Sequence, residues 1–125
     1  MILKNYLYKV INVNESPERV TYSLSLNQEC PIYKAHFPNM PITPGVCIIQ
    51  VVEELLEDHL KMNLQTAGVK NAKFLRVLKP TDEVICVNLV QVQIQIQKQI
   101  IKAQAMVTDS SDTVYAKISL ICNVV

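Results

Sequence analysis

The chain has 125 residues, half of them apolar, with a mean hydropathy of +0.19, 12 basic and 11 acidic side chains, and a net charge of +1. That is enough apolar mass for a single domain over residues 1–125 with one core, and it excludes disorder; the charge balance gives no case for nucleic-acid binding. No apolar run approaches the ~18 residues of a membrane span, and residues 1–13 carry Lys4 and Lys9 among their apolar side chains, so the expectation is a soluble, cytoplasmic protein without a signal peptide.

Residues 6–13 are rich in β-branched and aromatic side chains and stop at Asn14-Glu15-Ser16-Pro17, a turn composition. From Val20 the pattern alternates. Val20, Tyr22, Leu24 and Leu26 point one way and Thr21, Ser23, Ser25 and Asn27 the other, which predicts a half-buried strand paired antiparallel with the first segment. Residues 30–43 hold Pro31, Pro38 and Pro41 and read as a structured loop. Thr43-Pro44-Gly45 then starts a helix, with Thr43 as N-cap and Pro44 at the first helical position, where its missing N–H does no harm.

That helix is expected over residues 44–64. Val46, Cys47, Ile48, Ile49, Val51 and Val52 make its first turns apolar all round, interrupted by Gln50, and such a helix has to be buried. Its later turns are amphipathic: Leu55, Leu56 and Leu60 face inward, while Glu53, Glu57, Asp58 and Lys61 form a solvated face. His59 is expected exposed or beside a carboxylate, and Gly68 fits a connection after the helix.

Beyond Gly68 the signal is strand throughout, over 69–78, 83–96, 97–108 and 114–124, with turns at Lys79-Pro80-Thr81-Asp82 and Asp109-Ser110-Ser111-Asp112. Val90, Val92, Ile94 and Ile96 are expected on one face and Gln91, Gln93, Gln95 and Gln97 on the other. Two strands, a buried helix and three or four long strands make an α+β fold in which an antiparallel sheet curls around the helix. Cys30, Cys47, Cys86 and Cys122 show no CxxC spacing and read as free thiols acting as small hydrophobes; nothing suggests a metal or an organic cofactor.

The segment His36-Phe37-Pro38-Asn39-Met40-Pro41-Ile42-Thr43-Pro44-Gly45-Val46 resembles the motif of the 3-hydroxyacyl-acyl-carrier-protein dehydratases, and residues 70–89 resemble the strand, basic turn and strand that follow the helix in that family. The resemblance implies the hot-dog fold and a homodimer, or a trimer of dimers, with active sites at the interface. It implies that His36 abstracts the C2 proton of an acyl thioester held by acyl carrier protein or coenzyme A. Histidine suits general-base work near neutral pH. Gly45 and Val46 would offer first-turn amides to the developing enolate oxygen, and Phe37 and Pro44 would line the substrate.

Two positions depart from the family pattern. Asn39 stands where glycine is usual, and asparagine tolerates positive φ. Gln50 stands fourteen residues after His36, where the family carries its acid, while Glu54 stands where many members have glutamine. A glutamine moves no proton. Three readings stay open at this stage: Glu54 takes the acidic role from the next turn; Gln50 positions a hydroxyl or a water, supporting slow dehydration or thioester hydrolysis; or the protein binds acyl chains or pairs with an active homologue.

Lys70, Lys73, Arg76 and Lys79 form a basic cluster suited to docking an acidic carrier protein and the phosphate of its arm, although spacing by three on a strand sends some of them to opposite faces.

Overall fold

Period-two alternation builds six strands, β1 (Tyr8–Glu15), β2 (Arg19–Leu26), β3 (Leu64–Phe74), β4 (Ile85–Gln95), β5 (Ile100–Asp109) and β6 (Val114–Val124), and two helices, α1 (Pro31–His36) and α2 (Gly45–Leu60). The computed structural model describes residues 2–36, 39–81 and 83–125, the side chain of His36 excepted. The strands form one sheet in the order β1-β2-β4-β5-β6-β3, every neighbouring pair antiparallel. Its inner face carries Val20, Tyr22, Leu24, Ile85, Val87, Leu89, Ile101, Ile118 and Leu120, all buried, and α2 adds Ile48, Val51, Val52, Leu55 and Leu56 to the same cluster. These helix positions recur at steps of three and four, one stripe of a helical wheel.

The expectation that α2 is buried all round is corrected: Val46 is 72% exposed, and Cys47 and Ile49 are half-buried. The helix also stops before residue 64, because Lys61 takes a left-handed conformation (φ 56°) that caps it onto the Glu57 carbonyl. Its N-cap is Pro44 with no side-chain cap. Thr43 does not serve, because its hydroxyl is hydrogen-bonded to the Tyr33 hydroxyl at 2.9 Å.

Residues 31–36 are helical rather than loop, Pro31 sitting at the first position where proline is favoured. Gly68 lies inside β3, at a register shift, and not in a connection. β3 starts at Leu64 and ends at Phe74, and residues 96–98 form a 3₁₀ turn ahead of β5. In β4 a bulge at Gln91 (φ 50°) interrupts the alternation, so Val90 pairs with outward Gln104 whereas Ile94 pairs with inward Ile101. Val90, Val92 and Ile94 therefore do not share a face.

The helix carboxylates are engaged rather than merely solvated. Glu53 accepts hydrogen bonds from the backbone N–H and the hydroxyl of Thr66, Glu57 from the Leu64 N–H at 2.9 Å, and Asp58 from the Tyr22 hydroxyl at 2.7 Å. His59 Nδ1 lies 3.6 Å from Glu15.

Leu55 is 1% exposed, and Leu55→Ala is expected to cost ~2–5 kcal/mol in a urea unfolding titration. Burial, reinforced by the Glu54 and Asp58 carboxylates, drives the Tyr8 and Tyr22 phenols well above the ordinary 10.0. The unfolded chain ionises these groups above about pH 10 and the folded one does not, so stability is retained below that pH and falls as pH rises past it. Tyr8→Phe and Tyr22→Phe should each flatten that alkaline loss, as read by unfolding titrations across the range.

Candidate active site

At the start of α2 the backbone turns from extended to helical at Pro44, and the N–H groups of Gly45 and Val46 fall in the first turn, where no intrahelical acceptor exists. Gly45 lines a cavity of about 560 Å³ whose walls are mainly apolar: Ile42, Pro44 and Ile48 on the helix side and Phe74, Val77 and Leu78 on the other, with Arg76 also lining it. A helix N-terminus carries partial positive charge, and low-dielectric walls strengthen it. The arrangement suits an apolar ligand bearing one oxygen on which negative charge develops.

The loop is held from below. Thr43 donates its N–H to the Leu78 carbonyl at 2.8 Å, and its hydroxyl meets that of Tyr33 in a buried pair. Burial raises the Tyr33 phenol to about 12, so it stays neutral and serves as a strut. Burial also raises the Cys47 thiol, which argues against a thiolate nucleophile beside the cavity.

Gly45 has a packing reason to lack a side chain. A Cβ built there would lie 2.9 Å from Cζ of Phe74, whose ring lies against the first helical turn. Sequence reasoning missed Phe74, since nothing local ties it to a glycine 29 positions earlier.

The structure places Gln50 and Glu54 together but outside the cavity wall. Gln50 donates through Nε2 to Glu54 Oε2 at 3.0 Å. Oε2 also accepts the Leu3 N–H (2.8 Å), and Oε1 accepts the Lys4 N–H (2.9 Å) and the Tyr8 hydroxyl (3.0 Å). A carboxylate offers about four lone-pair positions. All four are used here, to fasten the N-terminal segment and Gln50. The His36 side chain and Phe37 lie outside the described residues. The basic cluster divides: Lys73 pairs with Lys117 on the outer face of the sheet, whereas Arg76 borders the cavity and Lys79 follows it in sequence.

This sheet wrapped on one helix is the hot-dog architecture. The dehydratase heterocomplex ApeI:P from Xenorhabdus doucetiae superposes with a TM-score of 0.69 at 16% identity, covering 92% of this chain and 96% of that one. A hypothetical thioesterase with coenzyme A from Streptococcus pneumoniae TIGR4 gives a TM-score of 0.65 at 11% identity, covering 94% and 85%. Within that class the chain belongs to the ApeI-like family, described as ApeI dehydratase, which residues 12–117 match. It is 29% identical over 77 residues to the 3-hydroxyacyl-acyl-carrier-protein dehydratase FabZ of Thermotoga neapolitana, an alignment covering 58% of this chain and 56% of that relative. The chain thus spans little more than half the length of that relative.

Replacing Gln50 by Glu sets a second carboxylate beside Glu54, where the amide now donates at 3.0 Å. Two carboxylates sharing a site cannot both ionise freely. Gln50→Glu is therefore expected to lose stability as pH rises between about 5 and 8, in contrast to the wild type, as thermal melts across that range would show. Gly45→Ala should displace the Phe74 ring, visible as changed aromatic proton shifts, and Phe74→Ala should relieve the cost.

Proposed function

We propose that this protein dehydrates 3-hydroxyacyl thioesters, carried by acyl carrier protein or coenzyme A, to trans-2-enoyl thioesters in the cytoplasm. The observation that carries the proposal is the start of α2, without a side-chain cap, where Pro44 and Gly45 line an apolar cavity at the end of the motif of residues 36–46. The family membership supports it.

In this reading the neutral imidazole of His36 takes the C2 proton, and charge passes to the thioester oxygen, which the Gly45 and Val46 amides receive. The C3–O bond then breaks. The departing hydroxide needs a proton, and Gln50 has none to give. The His36 imidazolium therefore returns the proton it took, and water leaves. Gln50 of the partner subunit hydrogen-bonds the 3-hydroxyl across the homodimer interface, Glu54 of the same helix holding that amide in position, and Phe37 and Pro44 flank the acyl chain. Arg76 and Lys79 receive the phosphate of the carrier arm at the cavity edge.

Met40, Val46, Phe74, Leu75 and Val77 are exposed around this site, and β3 is an edge strand. An apolar patch along an open edge calls for a cover. A second copy pairing there supplies it and makes a homodimer. Gln50, together with the heterocomplex form of the Xenorhabdus protein, favours a second reading in which this chain is the weak or non-catalytic partner of an active homologue.

The test is turnover of a 3-hydroxybutyryl thioester, and of a crotonyl thioester in reverse. Wild type is expected to react, with His36→Ala slower by ~10²–10⁴-fold and Glu54→Gln less affected than His36→Ala. An inert wild type that gains activity through Gln50→Glu overturns the first reading in favour of the second.

A further inference from the structure

A net charge of +1 conceals a segregation that only the fold brings out. Four of the acids lie on α2, at the inner face of the sheet. On the outer face the charged strand positions are Lys9, Arg19, Lys73, Lys102 and Lys117, each paired in register with other outward residues, and no outward strand position carries a carboxylate. Lys73 stands directly opposite Lys117. Like charges facing each other across a strand pair are destabilising. Among the described residues, neither these two nor Lys70 and Lys102 have a carboxylate within 4.0 Å.

The face is hollowed where these lysines gather. Adjoining concavities of about 500 and 210 Å³ share Asn71, Gln104 and Ser119; Lys70 and Lys102 stand in the larger and Lys117 in the smaller. Register shifts between Val69 and Asn71 in β3 and between Val90 and Gln93 in β4 break the pleat on either side. Along β5, Lys102 is four residues from Met106, the partner of Lys117, a separation of roughly 13 Å. Lys70 and Lys102 thus line one end, Lys117 the other with Lys73 opposite it in register, and the amide and hydroxyl side chains of Asn71, Gln104 and Ser119 lie in both concavities.

We propose that this outer-face trough binds a small polyanion bearing at least two phosphate-type groups. Lys70 and Lys102 take one group, Lys73 and Lys117 the other, and Asn71, Gln104 and Ser119 hydrogen-bond the stretch between. The volume suits a small molecule. A protein partner would want an apolar interface centre, which the mainly polar larger concavity lacks. The trough lies across the sheet from the cavity at Gly45, and the inference does not depend on the reaction assigned there.

The test is calorimetric titration of the full chain with inorganic tripolyphosphate, orthophosphate and a poly-glutamate peptide at physiological ionic strength. Tripolyphosphate is expected to bind one per chain, more tightly than orthophosphate, and to raise the melting temperature. Its affinity should fall roughly 3-fold in Lys73→Gln or Lys117→Gln and about 10-fold in the double variant, while Lys98→Gln, on the β4–β5 turn, binds as wild type does. Without ligand, the double variant should melt no lower than wild type, since it loses only a repulsion. Three results would overturn the proposal: no binding of tripolyphosphate, equal binding by the double variant, or tighter binding of poly-glutamate, which would make the face a docking surface for an acidic protein.

Discussion

The position of α2 rests on two rows of carboxylates, each a pair separated by four residues and so stacked on one side of the helix. Glu53 and Glu57 reach the first residues of β3, bonding Thr66 and Leu64, while Glu54 and Asp58 reach the other wall through Tyr8 and Tyr22. Hydrogen bonds to charged groups are worth about 1.5–3 kcal/mol when well shielded, and less where water competes. Their geometric effect is larger than that figure suggests. Two rows aimed at opposite walls fix the helix in rotation and along its axis, whereas apolar burial alone would tolerate some sliding. The uncapped first turn therefore meets the cavity in one place.

The strands were legible because alternation is a local signal, and β2 follows it residue by residue: Val20, Tyr22 and Leu24 are buried and their neighbours are not. Where the pattern misleads, a single backbone angle is responsible. Gln91 at φ 50° inverts the faces of β4, and no composition rule distinguishes that glutamine from Gln93 or Gln95. The helix acids were misread for a different reason. Their partners outside the helix lie 7 to 51 positions away in sequence, so an amphipathic wheel sees only charges that point away from leucines. A short helix behind Pro31 was hidden by the prolines that follow it.

The candidate site was legible as a motif and incomplete as a mechanism. Pro44, Gly45 and Val46 announce a helix start, and the fold adds why the start is bare: the Thr43 hydroxyl, the obvious cap, is held by Tyr33. Gly45 leaves room for the Phe74 ring, and in the proposed function it also lets a ligand come close to its amide. Only the second could be argued without knowing which strand lies opposite.

The pairing of Gln50 with Glu54 brings fold and chemistry into one argument. An acid at 54 is drawn away from the cavity by four donors, two of them backbone amides of Leu3 and Lys4 that would otherwise need water. An acid at 50 would lie against it and be repelled. With Glu54 committed to the N-terminal segment, an uncharged amide at 50 is the residue that relieves both constraints: its N–H₂ satisfies Glu54, and it adds no second charge. The cost falls on proton transfer, which an amide cannot perform. In the proposed dehydration Gln50 supplies no proton to the leaving hydroxyl. This helix turn anchors the N-terminal segment through Glu54 without placing a second charge at position 50.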